Sequence, residues 1–293
     1  MKENVKLILI GDEGVGKSSL ISSYISRHFP SEVPFVMTDA FIPAQTTSSD
    51  VGVTVMDSSS RAADLEVLKQ KLLVADSVIA LYDVTRDETF ENLGQVWFPL
   101  LTELYGEGHN KPVLVVGTKT DLLSEDNDVE KLRALLERFP FVLACLKCSA
   151  LQLQDVEDIF HYGVDAVTYP LDPIFDIFTH EFKPECRKAF LRIFRALDSD
   201  NDNLLSDAEM RSTELKCFNL QITDDELVAM KRQISQIEGG LRDNFVTFDG
   251  FLGLIKLIIE DTSFRIPWQI LRRFDYDDDL DYMVRCIDFL ILY

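Results

Sequence analysis

Over the first 170 residues, short apolar runs alternate with stretches of helical periodicity. Residues 5–10 (Val-Lys-Leu-Ile-Leu-Ile), 51–56, 77–82, 112–116 and 141–146 read as strands. The run 112–116 is almost uniformly apolar, which suits a parallel strand covered on both faces. Between them, apolar side chains recur at three- and four-residue spacing. They are Leu20, Ile21, Tyr24 and Ile25 to about Arg27; Leu65, Leu68, Leu72 and Leu73; and Leu93, Val96, Trp97, Leu100, Leu101 and Leu104 within 90–104. Residues 132–139 and 156–167 complete the helical set. Residues 28–50 lose all periodicity and carry Pro30, Pro34 and Pro43, a loop long enough to be functional or mobile. Strict alternation predicts a doubly wound α/β domain over residues 1–168, with its ligand at the C-terminal ends of the strands.

The pattern then changes. Residues 169–184, with Pro170, Pro173 and Pro184, predict a connector with little regular structure. From 185 onward the predicted elements are mainly helices. The first has Ala189, Phe190, Ile193, Phe194 and Leu197 on one face, and two more lie at 223–237 and 248–259. The expected layout is an α/β domain, a linker at 169–184 and an all-α domain over 185–293.

Composition narrows the possible functions. A chain of 293 residues suits two domains, and 46% apolar residues suffice for buried cores. The net charge of −21 argues against nucleic-acid partners and anionic membrane surfaces. Five scattered cysteines without paired zinc spacing fit a reducing compartment. Cys145 and Cys148 form a C-x-x-C at a strand end, where this spacing turns them to opposite faces as packing residues. No secretory signal is visible and no run reaches the length of a membrane span; apolar 287–293 is far too short.

The strand 5–10 leads into Gly11-Asp12-Glu13-Gly14-Val15-Gly16-Lys17-Ser18, and a helical pattern follows. This is the G-x-x-x-x-G-K-S phosphate loop in its required strand–loop–helix setting. The amides of Glu13, Gly14, Val15, Gly16, Lys17, Ser18 and Ser19 would cradle a phosphate chain at a helix N-terminus. Lys17 would bridge the β- and γ-phosphates, and the Ser18 hydroxyl would hold Mg²⁺. Asp57, ending the strand 51–56, is a carboxylate placed for the same metal ion.

Two further pieces lie at strand ends: Thr118-Lys119-Thr120-Asp121 after 112–116, and Ser149-Ala150-Leu151 after 141–146. With the phosphate loop they resemble the Ras-superfamily GTPases, whose base-reading motifs are N-K-x-D and S-A-K. The resemblance implies that Asp121 binds guanine N1 and the exocyclic amine. Lys119 would pack over the base, and the Ala150 amide, beside Ser149, would bind guanine O6. Thr118 departs from Asn and Leu151 from Lys. The family's D-x-x-G-Q stands here as Asp57-Ser58-Ser59-Ser60-Arg61, so Ser60 replaces a Gly and Arg61 the water-orienting Gln. Glu13 places a negative charge beside the γ-phosphate position. Thr46 or Thr47 would be the switch threonine on Mg²⁺. Arg61 is either a cis cation on the transition state or a solvated loop side chain.

In the second half, the helix ending at Leu197 runs into Asp198-Ser199-Asp200-Asn201-Asp202-Asn203-Leu204-Leu205-Ser206-Asp207-Ala208-Glu209. This matches the twelve-residue EF-hand Ca²⁺ loop. Asp198, Asp200 and Asp202 stand at positions 1, 3 and 5, the Leu204 carbonyl at 7, Ser206 at the water-mediated position 9 and Glu209 as bidentate closer. Asn203 takes the place of the usual Gly, at a position needing left-handed backbone that Asn tolerates. Leu205 would pair with a partner hand. Residues 238–247 lack the carboxylate spacing and read as a hand that has lost its metal, with Phe245-Val246-Thr247 kept as the pairing strand. The acidic run 275–281 fails as a third site, because position 12 would be Cys286. It is expected to cap a short terminal helix.

A Ras-like domain followed by an EF-hand pair resembles the N-terminal half of the Miro family, the mitochondrial Rho GTPases. Trp97 with Pro99-Leu100, Asp249-Gly250-Phe251-Leu252, and Trp268 through Leu271-Arg272-Arg273-Phe274 to Asp279-Leu280 carry that resemblance, and 57–61 most resembles plant members. It implies GTP/GDP, Mg²⁺ and Ca²⁺ as ligands and protein effectors or transport adaptors as partners. It also implies a tail-anchored protein on the cytosolic face of the mitochondrial outer membrane, acting in organelle morphology and transport. The family's second EF-hand pair, second GTPase domain and anchor are not within these 293 residues, so a shortened or unanchored, soluble cytosolic member is expected. Three functions stay open: a slow GTPase switch, a pseudo-GTPase adaptor holding nucleotide without hydrolysis, and a Ca²⁺ sensor with an empty phosphate loop.

Overall fold

The computed structural model describes residues 3–46, 51–107, 109–123, 129–176, 179, 181–260 and 264–283. The chain divides into two compact units, Met1–Thr168 and Tyr169–Tyr293.

The first unit is a six-stranded sheet between two layers of helices. Its strands are β1 (Asn4–Ile10), β2 (Ala40–Ile42), β3 (Gly52–Met56), β4 (Ser77–Asp83), β5 (Val113–Thr118) and β6 (Val142–Lys147). They lie in the order β2-β3-β1-β4-β5-β6, parallel except for β2, which runs antiparallel to β3. Successive residues of β1 serve opposite faces. Val5, Leu7 and Leu9 enter the core under α1 (Lys17–Ser26) and α6 (Val156–Thr168), whereas Ile8 and Ile10 enter the core on the other face. That second core holds Leu68 and Leu72 of α2 (Leu65–Val74) and Leu135 of α5 (Val129–Arg138). Every residue of β4 and β5 is buried, as expected for inner parallel strands. Sheet order reverses at β1, so the loop after it opens at a topological switch point.

The structure departs from the sequence pattern in three places in this unit. The loop 28–50 contains strand β2, three residues at the sheet edge with none buried, so no hydrophobic pattern marks it. The helix expected over 90–104 begins earlier, as α3 (Asp87–Asn92), then passes through a wide turn at Leu93–Trp97 into α4 (Phe98–Tyr105). In that turn the Phe98 amide donates to Leu93 O, five residues back. The next residue, Pro99, has no N–H to continue the ladder. Val96 consequently faces solvent, while Leu93, Trp97, Phe98 and Leu101 are buried. The strand expected over 77–82 extends by one residue, so that Asp83 ends β4. Cys145 and Cys148 lie on opposite faces of the sheet as expected, and burial pushes their thiols up to about 11 and about 12.

The second unit contains α7 (Pro184–Leu197), α8 (Asp207–Phe218), α9 (Asp224–Ile234), α10 (Phe248–Glu260) and α11 (Arg265–Arg273). Its core gathers Phe190, Ile193 and Phe194 of α7, Phe251 and Ile255 of α10, and Trp268 and Leu271 of α11. The described residues of 169–184 are not the irregular connector expected. Tyr169, Leu171, Ile174 and Phe175 are buried in this core, and β7 (Phe175–Asp176) pairs with β8 (Glu181–Phe182). The prolines punctuate turns around apolar residues that pack, and the Trp268 indole donates to Pro170 O at 2.8 Å. Among the described residues, no helix is long and apolar enough to cross a membrane. The helix expected beyond 283 and Cys286 lie outside the described residues. The acidic run up to that point forms a tight turn, with the Asp279 and Asp281 amides donating to Asp277 Oδ1 and a bridge between Tyr276 and Tyr282.

Candidate functional site

The loop joining β1 to α1 depends on two glycines whose backbone no other residue accommodates. Gly11 has φ +134°, and a Cβ there would fall 2.3 Å from Leu81 O. Gly16 caps α1 at φ +101°. Lys17 lies at the start of α1, buried, with Nζ 2.7 Å from Gly11 O and 2.8 Å from Asp12 O. Burial pushes its ammonium pKa down, against the charges of Asp57, Asp12 and Glu13. Ser18 donates from Oγ to Asp57 Oδ2 at 2.5 Å, and the Met37 amide donates to the same oxygen at 2.8 Å. Phe35 O is 3.2 Å from Ser18 Oγ. The hydroxyl and carboxylate expected to share Mg²⁺ therefore converge, and as hard oxygen donors beside a phosphate loop they fit that ion. Ser19 is half-buried on α1.

The switch threonine is not brought to this point among the described residues. Thr46 is exposed and donates to Pro43 O in a short 3₁₀ turn. Thr47 lies outside the described residues. Backbone of Phe35 and Met37 occupies the place beside Ser18 and Asp57.

Arg61 is a largely exposed loop side chain with two surface contacts. Its guanidinium stacks 3.8 Å over the Phe35 ring and lies 3.9 Å from the Glu13 carboxylate. Its backbone is extended just before the 3₁₀ turn at Ala62–Asp64, and Ser59 Oγ accepts its amide. The Ser-rich segment is anchored by Ser58, which donates to Leu9 O at 2.6 Å.

The residues expected to read a base gather after β5 and β6. Ser149 Oγ donates to Asp121 Oδ1 at 2.5 Å, which fixes the carboxylate, and the Gln152 amide donates to Ser149 Oγ. Ala150 follows, its carbonyl accepting from Ser23 Oγ, and Leu151 is exposed. Lys119 has a left-handed backbone, φ +64°, costly for a side chain with Cβ and common at ligand sites. Its Nζ donates to Asp83 Oδ2 at 2.6 Å and to Gly14 O at 2.9 Å. Thr118, which departs from Asn, still ties the phosphate loop inward, its Oγ1 lying 2.6 Å from Val15 O. Sequence reasoning overlooked Asp83, whose signal was a carboxylate closing an otherwise apolar strand. It also overlooked Asp12, whose carboxylate accepts from Asn92 Nδ2 at 2.7 Å and Trp97 Nε1 at 2.9 Å.

In the second unit, carboxylate oxygens of Asp198, Asp200 and Asp202 lie within 4.8 Å of one another. Asn203 adopts the expected left-handed conformation, φ +64°, and its amide donates to Asp198 Oδ2 at 2.9 Å. Leu205 and Val246 exchange backbone hydrogen bonds of 2.8 and 3.0 Å, pairing the two loops. Three converging carboxylates in a loop of this curl fit a hard cation such as Ca²⁺. Glu209 caps α8. Its Oε2 accepts from the Ser206 amide and hydroxyl, and its Oε1 from the Ser199 amide. Ser206 is thus the N-cap residue, with its hydroxyl on Glu209. Burial would raise the Glu209 pKa, but the Ser206 and Ser199 donors outweigh it and hold it down. At Asp200 the Asp202 amide favours the carboxylate. Desolvation and the charges of Asp202 and Glu209 outweigh it, raising the pKa. The partner loop is closed by its own backbone. The Thr247 amide donates to Gly240 O at 3.1 Å, and a Cβ at Gly250 would fall 2.1 Å from that oxygen.

The two ends of the site in the first unit call for different chemistry. Amides and a buried lysine suit a chain of phosphates, whereas Asp121 and Lys119 suit the edge and face of a planar base. That division defines a P-loop nucleotide-binding domain. A family model described as Ras family matches residues 6–168, and one described as EF hand associated matches residues 220–288. The chain belongs to the Ras family, and its first unit is a GTPase domain of that family. Over 282 residues it is 33% identical to Mitochondrial Rho GTPase 1 of Arabidopsis thaliana, covering 95% of this chain and 43% of the relative. The chain thus spans less than half the length of that relative and is similar to it across both units.

Proposed function

We propose that the chain is a guanine-nucleotide switch with slow GTP hydrolysis, joined to an EF-hand pair that takes one Ca²⁺. The observation that carries this reading is the meeting of Ser18 and Asp57 at 2.5 Å beside buried Lys17, an arrangement suited to Mg²⁺ and phosphate. In it Lys17 and the loop amides would hold the phosphates, Ser18 and Asp57 would hold Mg²⁺, and Asp121 and Lys119 would read guanine. Mg²⁺ would supply charge neutralisation between the β- and γ-phosphates. Asp198, Asp200, Asp202, the Leu204 carbonyl and Glu209 would form the Ca²⁺ site, with Glu209 exchanging part of its cap for the ion. The name of the Arabidopsis relative is the ground for proposing action at mitochondria; protein effectors or transport adaptors are the partners proposed for such a switch.

Nucleotide released from the purified protein by denaturation and read by chromatography tests this. Guanine nucleotide is expected in the parent and not in Lys17→Ala, and Asp121→Ala should lose preference for GTP over ATP. Empty parent protein that takes up no added GTP refutes it. The pairing of Arg61 with Glu13 favours a second reading, an adaptor that holds nucleotide without hydrolysis. Single-turnover hydrolysis separates the two.

A further inference from the structure

The carbonyl groups of the phosphate loop each meet a donor. Lys17 covers Gly11 O and Asp12 O, Thr118 covers Val15 O and Lys119 covers Gly14 O. Gly16 O accepts the Leu20 amide at 2.8 Å, and Glu13 O is met by Arg86 Nη2 at 3.1 Å. The donors serving Glu13 and Gly14 share one anchor. Asp83 Oδ2 accepts from Lys119 Nζ at 2.6 Å and from Arg86 Nε at 3.0 Å. Asp83 Oδ1 accepts from the Thr85 hydroxyl at 2.6 Å and its amide at 3.0 Å. The Asp83 side chain is 2% exposed, so a fully hydrogen-bonded, buried carboxylate sets where both cations stand. Glu13 and Gly14 are themselves exposed, the part of the loop least held by packing. A loop whose carbonyls are drawn outward presents its amides inward, the arrangement that binds an anion.

We propose that Asp83 and Arg86 are positioning residues for the nucleotide. Asp83 aims Arg86 and Lys119 at the Glu13 and Gly14 carbonyls, and this outer brace keeps the loop amides on the phosphates. The inference rests on the nucleotide reading above and adds residues that need not touch the ligand.

The test is release of a fluorescent GDP analogue from the full chain, with GDP and GMP compared by competition. Arg86→Ala should release GDP about tenfold faster, the loss of one charge-assisted hydrogen bond. Arg86→Lys should recover part of that, and Asp83→Asn, which loosens both cations, should exceed Arg86→Ala. In Arg86→Ala the loss should fall on GDP and spare GMP, because the braced amides serve the outer phosphates and the base contacts of Lys119 are left in place. General damage to the fold would weaken both nucleotides alike. Release from Arg86→Ala within twofold of the parent, or equal weakening of GDP and GMP, overturns the proposal. A parent that binds no GDP refutes the nucleotide reading and this inference with it; a parent that binds normally beside a silent Arg86→Ala refutes this inference alone.

Discussion

Replacing Arg61 by Ala should leave single-turnover GTP hydrolysis within about threefold of the parent while weakening GTP relative to GDP. The side chain rests over Phe35 and beside Glu13, both contacts at solvent. An exposed cation–π contact contributes about 0.5–1 kcal/mol, and an exposed ion pair about 0.2–1 kcal/mol. Together they favour the resting position by at most about 2 kcal/mol, roughly a factor of 30. An arginine well placed on the transition state is worth about 10³–10⁵ in rate, which would overcome that preference. The resting contacts therefore do not by themselves exclude catalysis. The charge of Glu13 is the stronger argument. With a carboxylate 3.9 Å away, the guanidinium offers little net positive field to a γ-phosphate. Its removal leaves Glu13 uncompensated, and a like charge about 4 Å from a phosphate would cost about 1 kcal/mol in water and several in a partly dry site. GTP affinity should then fall about three- to tenfold relative to GDP, and Glu13→Gln should restore it. The assay is hydrolysis of preloaded GTP by Arg61→Ala, Glu13→Gln and the double variant, with both nucleotide affinities measured. A hundredfold loss of hydrolysis in Arg61→Ala would make Arg61 catalytic and refute this reasoning. An unchanged GTP-to-GDP ratio would refute the compensation of Glu13.

Calorimetry should find one Ca²⁺ per chain, with Glu209→Gln weakening it at least tenfold while the capped helix α8 persists without the ion; a stoichiometry near two would contradict the closed second loop. Gly11→Ala should destabilise the chain by about 1–3 kcal/mol in urea unfolding and abolish nucleotide binding, because its Cβ meets backbone that cannot move aside; a stable variant that binds GDP would refute this. At Asp83 burial opposes ionisation, but Lys119 and the Thr85 donors outweigh it and bring its pKa from 3.8 down to about 2. A depressed carboxylate stabilises the fold above its unfolded value, and that stability disappears as pH falls from about 4 towards 2. The parent should therefore lose more stability than Asp83→Asn between pH 5 and pH 3, and equal losses would show that the ion pairs contribute nothing there.

What could be read in the residues was whatever has a local cause. Alternation of strand and helix, the glycine-and-lysine spacing of the phosphate loop and the carboxylate spacing of 198–209 are all contained in short stretches. So is the left-handed turn at Asn203, since the steric cost of φ > 0 belongs to one residue and Asn tolerates it. The pairing of Leu205 with Val246 was legible for a related reason, as both loops carry the pattern of a paired hand. Strand β2 was not legible, because an exposed three-residue edge strand is held by backbone pairing with β3 and not by a buried face. The interruption at Leu93–Trp97 was missed because apolar periodicity does not register one extra residue in a turn.

The sequence by itself determined the fold class and the chemistry available at each strand end. Only the tertiary structure decided which groups share an atom. Asp83, Arg86 and Lys119 come from two strand ends and a helix entry, up to 36 residues apart, yet meet at one carboxylate oxygen. Phe35, Arg61 and Glu13 meet across three loops. Residues 169–184 read as a linker by proline content, yet Tyr169, Leu171, Ile174 and Phe175 are buried in the core. The reason is common to all three: local propensity is written in neighbouring residues, whereas electrostatic partnership and burial depend on distances set by the packed sheet and helices.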